Sequence, residues 1–189
     1  MINKFNKAFL KATLLHKGQT RKGTSIPYIV HILDVVSNLI KNGASEDLIV
    51  AGFLHDSIED TSYTEPLLKK EWGGKVYSLV MSNTEPENRI SESDSKKVVS
   101  WKMRKKHSLE VLPSKNDDEL LLFAADKLSN LNDIHADYLV SGNEVFKRFN
   151  APKKEIKWYY SSMIPIFKKR LGKIRLYKEF LVAHKALFE

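Results

Sequence analysis

The chain has 189 residues, 42% of them hydrophobic and 29% charged, with no cysteine and a formal net charge of +8. That length and composition suit one globular domain, running from residue 1 to 189, with a sizeable core. The missing cysteine excludes disulfides, thiolate zinc sites and cysteine nucleophiles and fits a reducing cytoplasm. No run approaches the ~20 apolar residues that span a bilayer. MINKFNKAFLKATLLHKGQ at the start has lysines spread through an amphipathic pattern, without the continuous apolar stretch or cleavage site of a signal peptide. The sequence therefore predicts a soluble, cytoplasmic protein with no membrane partner. The positive excess fits a polyanionic partner or a solvated basic surface. Its densest clusters are KKVVSWKMRKK at 96–106 and FKKRLGKIR at 167–175. No nucleic-acid-binding motif accompanies them, and nucleic acid is not expected as a partner.

Strict apolar–polar alternation is rare, and three- and four-residue apolar spacing dominates, which predicts an all-α fold. Residues 3–16 place Phe5, Ala8, Phe9, Ala12 and Leu15 on one face, and residues 28–41 do the same with Ile32, Val35, Val36, Leu39 and Ile40. Gly43 then stops the chain and Ser45 caps a new helix, with Glu46 and Asp47 in its first turn, running to about Glu59. Thr64-Glu65-Pro66 starts another, which should stop at Gly73-Gly74. Further helices are predicted at 75–81, 94–111, 117–136, 144–149 and 153–170, and a last one after Gly172. Loops fall at 19–27, 83–93 and 112–116, where glycine, proline, serine or asparagine accumulate.

Chemistry concentrates in three segments. FLHDSIED at 53–60 carries His55, Asp56, Glu59 and Asp60. In an unbroken helix these four occupy an arc of about 140°, while Val50, Ala51, Leu54 and Ile58 face the core. Like charges one turn apart repel, and a bound dication relieves that cost. A solvent-facing acidic helix end is the other reading, although acids near a helix C-terminus oppose its dipole. In DELLLFAADKLSNL at 118–131, Asp126 follows an apolar run and needs a partner, with Asn130 one turn on; an ordinary capping or salt-bridged aspartate is the other reading. In GQTRKGTSIPYIVHIL at 18–33, a basic loop of Arg21 and Lys22 precedes Pro27-Tyr28 and His31. Taken alone, that histidine reads more often as structural, and the basic pair is only a weak phosphate-binding signal.

The order His31, His55-Asp56, Asp126 resembles the H…HD…D pattern of HD-domain metal-dependent phosphohydrolases. RKGTSIPYIVHILDVV, AGFLHDSIEDT and AADKLSNL are similar to the three hydrolase motifs of the RelA/SpoT family, in the family's order. KKEWGGKVYSLV matches a further family spacing. The resemblance covers about residues 3–140, and 189 residues leave no room for that family's synthetase domain, so the chain looks like a small stand-alone, Mesh-type alarmone hydrolase. Ile32 departs from the proline that often follows the first histidine, which affects the start of the helix rather than a ligand. FKRFNAPKKEIKWYYSSM, beyond residue 140, looks like a substrate-side or packing element of such enzymes.

The resemblance implies a single HD-domain helical bundle whose His31, His55, Asp56 and Asp126 hold one divalent metal, usually Mn²⁺, other divalent ions also suiting the set. It implies that Glu59 and Asp60 orient and deprotonate a water. Arg21 and Lys22 would neutralise phosphates of a phosphorylated guanine nucleotide or pack against its base, Asn130 would bind ribose or phosphate, and Lys97, Lys102, Arg104 and Lys105 read equally as covering the remaining phosphates or as a solvated basic face. Tyr28 reads as a packing residue with a polar tip. The implied reaction is hydrolysis of the 3′-pyrophosphate of ppGpp or pppGpp, an activity of the stringent response. The alternatives are an HD phosphohydrolase acting on another nucleotide, such as NADPH or a nucleoside phosphate, and a non-enzymatic nucleotide- or nucleic-acid-binding module.

Overall fold

The computed structural model describes residues 2–84 and 94–189, the side chains of residues 2, 3 and 94–100 excepted. Most of the expected 83–93 loop, and the Lys97 side chain, lie outside the described residues. The fold is all-α. In chain order the helices are α1 (Ile2–Leu15), α2 (Ile29–Lys41), α3 (Glu46–Leu54), α4 (Ser57–Asp60), α5 (Glu65–Asn83), α6 (Asp94–Val111), α7 (Asp117–Ser141), α8 (Lys153–Leu171) and α9 (Arg175–Phe188). Short 3₁₀ segments cover Leu112–Ser114 and Gly142–Arg148. Among the described residues the sole extended pairing is an isolated antiparallel bridge between Thr20 and Pro27.

The residues group into two compact units. The first comprises Met1–Thr84 and Asn116–Ser129, and the second Glu85–Lys115 and Asn130–Glu189. In the first unit α3 packs against α1, α2 and α5. Phe53 meets Phe5 edge-on at 4.9 Å, and the core collects Ile32, Val35, Val36, Leu39, Leu54, Leu68, Val76, Leu122 and Leu128. Ile40, assigned to the α2 core stripe by spacing, is 47% exposed. In the second unit α8 packs against α6 and α9. Phe167 meets Phe180 at 5.1 Å, and Ser161 Oγ lies 2.8 Å from the buried His184 Nε2.

Local chemistry sets the helix ends. Ser45 Oγ accepts from the Leu48 amide at 3.4 Å, and Gly43 takes the left-handed φ of 74° that ends α2. Asn116 and Glu119 cap α7 reciprocally, each backbone amide donating to the other's side chain at 2.9 and 3.0 Å. Inside α5, Gly73 is non-helical (φ 85°, ψ 171°), so the chain breaks where the glycine pair predicted.

Three expectations are corrected. The helix carrying the central octet does not run unbroken to Glu59. It ends at Leu54, Asp56 sits at φ −97°, ψ 0°, and a separate turn, α4, follows. Side chains take carbonyls at the break: His55 Nδ1 donates to the Gly52 oxygen at 2.8 Å, and Ser57 Oγ donates to the Leu54 oxygen at 2.6 Å, bonds that compete with the helical ladder. The 140° arc of four acid and imidazole side chains therefore does not form. Second, α7 continues to Ser141, five residues beyond 136, because nothing breaks it before Gly142, at φ 58°. Third, the element expected at 144–149 is a 3₁₀ segment over Gly142–Arg148.

Candidate metal centre

His31 comes from α2, His55 and Asp56 from the break after α3, and Asp126 from the first part of α7. The break turns His55 and Asp56 toward the other two. His55 Nε2 lies 3.0 Å from Asp56 Oδ2 and 3.9 Å from Asp126 Oδ1. His31 Nε2 lies 3.5 Å from Asp56 Oδ2 and 3.3 Å from Asp126 Oδ1. His31, His55 and Asp56 each offer one ligand atom, all within 4.8 Å of one another. Both imidazoles are buried, and the two carboxylates are partly exposed, at 19% and 14%.

The ring orientations suit a metal. His55 Nδ1 must carry hydrogen to donate to the Gly52 carbonyl, which leaves Nε2 facing the carboxylates. That Nε2 is buried and makes no hydrogen bond. His31 Nδ1 is held 2.9 Å from the buried Ser129 Oγ, so its Nε2 likewise faces inward. Tyr28 Oη donates to Asp56 Oδ2 at 2.6 Å, and Lys127 Nζ donates to Asp126 Oδ2 at 2.6 Å. Two imidazoles and two carboxylates form a nitrogen–oxygen set of borderline hardness, which fits a divalent first-row ion.

Among the protein groups alone, the electrostatics are strongly coupled. Burial lowers the His55 pKa, but the Asp56 and Asp126 charges outweigh it and raise the group to about 9. Burial pushes the Asp56 carboxyl up, but His55 and His31 hold it well below the usual carboxylate range. Burial likewise opposes Lys127 and the two histidines at Asp126, and the ion-pair partners prevail, so its carboxyl is also lowered. A dication placed among these atoms supplies the positive charge otherwise carried by imidazolium.

Glu59 and Asp60 are exposed on α4. The Asp60 carboxyl is raised above its usual value by burial of part of the group and by the Asp56 charge, with a Tyr28 hydrogen bond opposing. Arg21 stands over the Tyr28 ring, Cζ to centroid 5.5 Å, and Lys22 is exposed on the same loop. Asn130 is half-buried on α7, one turn beyond Asp126, and belongs to the second unit. Lys102 and Arg104 also belong to that unit. Lys102 Nζ pairs with Glu155 at 3.0 Å and stands 5.6 Å from the Trp158 ring, Lys105 Nζ stands 5.4 Å from Tyr159, and Arg104 is half-buried.

Sequence reasoning missed Ser129 and Lys127, which touch His31 and Asp126. Ser129 was detectable: it lies three residues after Asp126 on the same helix face, a hydroxyl amid Leu128 and Leu131. Lys127 was not, because neighbours in a helix do not ordinarily face each other.

A family model described as HD domain matches residues 8–151. Over 114 residues the chain is 31% identical to the guanosine-3′,5′-bis(diphosphate) 3′-pyrophosphohydrolase of Aquifex aeolicus, covering 60% of this chain and 15% of that protein. Over 131 residues it is 30% identical to a GTP pyrophosphokinase of Streptomyces coelicolor, covering 69% and 14%. The chain spans between 10% and 19% of the length of such curated relatives. Among solved structures, lmo0812 of Listeria monocytogenes EGD-e superposes with a TM-score of 0.72 at 29% identity, over 84% of this chain and 98% of that one. A metazoan SpoT ortholog, described as hydrolysing ppGpp, gives a TM-score of 0.73 over 96% and 94%, and its 22% identity makes this a likeness of fold. The matched span of 8–151 includes the histidine–aspartate cluster and reaches into both compact units, and the chain belongs to the HD-domain family.

Proposed function

We propose that this chain is a metal-dependent hydrolase that removes the 3′-pyrophosphate of ppGpp or pppGpp, yielding GDP or GTP and pyrophosphate, with both units forming one HD-type hydrolase domain. The observation that carries the reading is the cluster of His31, His55, Asp56 and Asp126, with inward-facing Nε2 atoms and a buried His55 Nε2 that makes no hydrogen bond. Relatives named for 3′-pyrophosphohydrolysis support the substrate.

Those four residues would hold one divalent ion, with Mn²⁺ suited to the donor set. When bound, it would neutralise phosphate charge and acidify a water. Ser129 and the Gly52 carbonyl fix the imidazole rings, and Tyr28 restrains Asp56. Asp60, its carboxyl raised and exposed to solvent, accepts the proton of the attacking water, and Glu59 orients that water. Arg21 and Lys22 meet substrate phosphates, Asn130 the ribose or a phosphate, and Lys102 and Arg104 the remaining charge.

The test is to incubate Mn²⁺-loaded protein side by side with ppGpp, NADPH and other nucleoside phosphates. Pyrophosphate release from ppGpp is expected. Its absence, alongside turnover of another nucleotide, overturns the substrate. The double variant Glu59→Gln, Asp60→Asn is expected to retain metal while turnover falls by about 100-fold or more. Retained activity removes the pair from the mechanism.

A further inference from the structure

Glu59 and Asp60 stand on a helix of four residues. One turn has too few internal bonds to hold itself, so its position depends on external ties. Two such ties are local: Ser57 Oγ to the Leu54 carbonyl, and Thr61 Oγ1 to the Ser57 carbonyl, both at 2.6 Å. Another is distant in sequence. Gln19 Nε2 donates to the Asp60 backbone carbonyl at 2.6 Å.

Gln19 is itself fixed. Because its amide nitrogen must face a carbonyl, its Oε1 faces the buried His16, whose Nδ1 donates to it at 2.7 Å. The main-chain carbonyl of Gln19 accepts from the Tyr28 amide at 2.9 Å, and the His16 ring stacks on the Tyr28 ring, 5.0 Å between centroids and 19° between planes. The hydroxyl of that tyrosine reaches Asp56. A single buried histidine thus braces both the glutamine that holds the end of α4 and the tyrosine that touches a candidate metal ligand.

We propose that His16 and Gln19 are positioning residues that hold the Glu59–Asp60 turn in register with the metal centre. This role rests on the hydrolase reading for its kinetic consequence, but the structural tie is measurable without substrate. The variants are Gln19→Leu, which removes the donor from a half-buried site, His16→Leu, and His16→Asn, whose side-chain amide can still donate to Gln19 Oε1. Each is followed by backbone hydrogen exchange, Mn²⁺ titration and steady-state kinetics.

For Gln19→Leu, amides of residues 57–61 are expected to exchange about tenfold faster or more. kcat should fall about 10- to 100-fold, with KM and Mn²⁺ affinity within about twofold of wild type. His16→Leu should act in the same direction, and His16→Asn should recover most of the lost kcat and protection. Unchanged exchange at 57–61 overturns the proposal. So does faster exchange with unaltered kcat, or metal affinity that falls in step with kcat. If wild-type protein turns over no ppGpp, the substrate reading fails, and the exchange and metal titrations alone decide whether the tie exists.

Discussion

Gly52 couples core packing to the candidate metal centre. A Cβ at this position would lie 2.5 Å from Leu39 Cδ1 and 3.4 Å from Val36 Cγ2. Carbon atoms settle at about 3.5–4.0 Å, so in Gly52→Ala either Leu39 or the helix must retreat by roughly 1 Å. Leu39 is fully buried, and forcing extra volume into such a core costs about 1–3 kcal/mol. Replacing glycine by alanine within a helix returns about 1 kcal/mol. The net stability change is then a loss of about 0–2 kcal/mol, measured by urea denaturation. The site should respond more than the fold. His55 Nδ1 hangs on the Gly52 carbonyl and His31 stands on the facing α2, so moving α3 away from α2 separates the two imidazoles. Mn²⁺ affinity is expected to fall about tenfold, as for loss of a supporting contact to a ligand. Leu39→Ala in the same background makes room for the new methyl and should restore part of that affinity, although alone it costs about 2–5 kcal/mol of stability. A Gly52→Ala protein that is stabilised and binds metal unchanged would refute the reasoning, because it would mean Leu39 yields without moving the helix.

Ser129→Ala removes the partner of His31 Nδ1 in a buried setting. The variant should lose about 1–3 kcal/mol of stability and about 10- to 100-fold in Mn²⁺ affinity, read by denaturation and titration calorimetry; affinity unaltered would show that the ring needs no such restraint. His184 gives a pH dependence distinct from the candidate metal centre. Burial lowers its pKa, with Glu189 opposing and Lys157 adding to the shift. A histidine with a depressed folded pKa leaves stability untouched above the unfolded value of about 6.5 and erodes it as pH falls through the folded value. The thermal midpoint should drop as pH falls below about 6.5 in wild type and less so in His184→Gln; parallel profiles would contradict this.

Helix starts and stops were legible because their causes are local. Ser45 caps through its own side chain, Gly43 and Gly73 take backbone angles that other residues resist, and Pro66 sits within the first turn of α5. The break between α3 and α4 was not legible. Periodicity sees Val50, Ala51, Leu54 and Ile58 as one stripe and is blind to side-chain bonds such as those of Ser57 and His55 to carbonyls at the break. The site was legible in part for the same reason. His31, His55, Asp56 and Asp126 could be named from their order, and the structure places each histidine Nε2 3.0 to 3.9 Å from an oxygen of each of the two aspartates. The groups that orient them were harder, because Tyr28 reaches Asp56 and Ser129 reaches His31 only once the chain has folded, across 28 and 98 positions.

The central claim concerns which bond is cut. ppGpp incubated with Mn²⁺-loaded protein, quenched with excess chelator and followed by phosphorus NMR, reports it directly. The account predicts that ppGpp signals decline as GDP and intact pyrophosphate grow in equal amounts, with no change in a sample chelated before substrate is added. Undiminished ppGpp with metal-loaded protein, or orthophosphate in place of pyrophosphate as the released product, would contradict it.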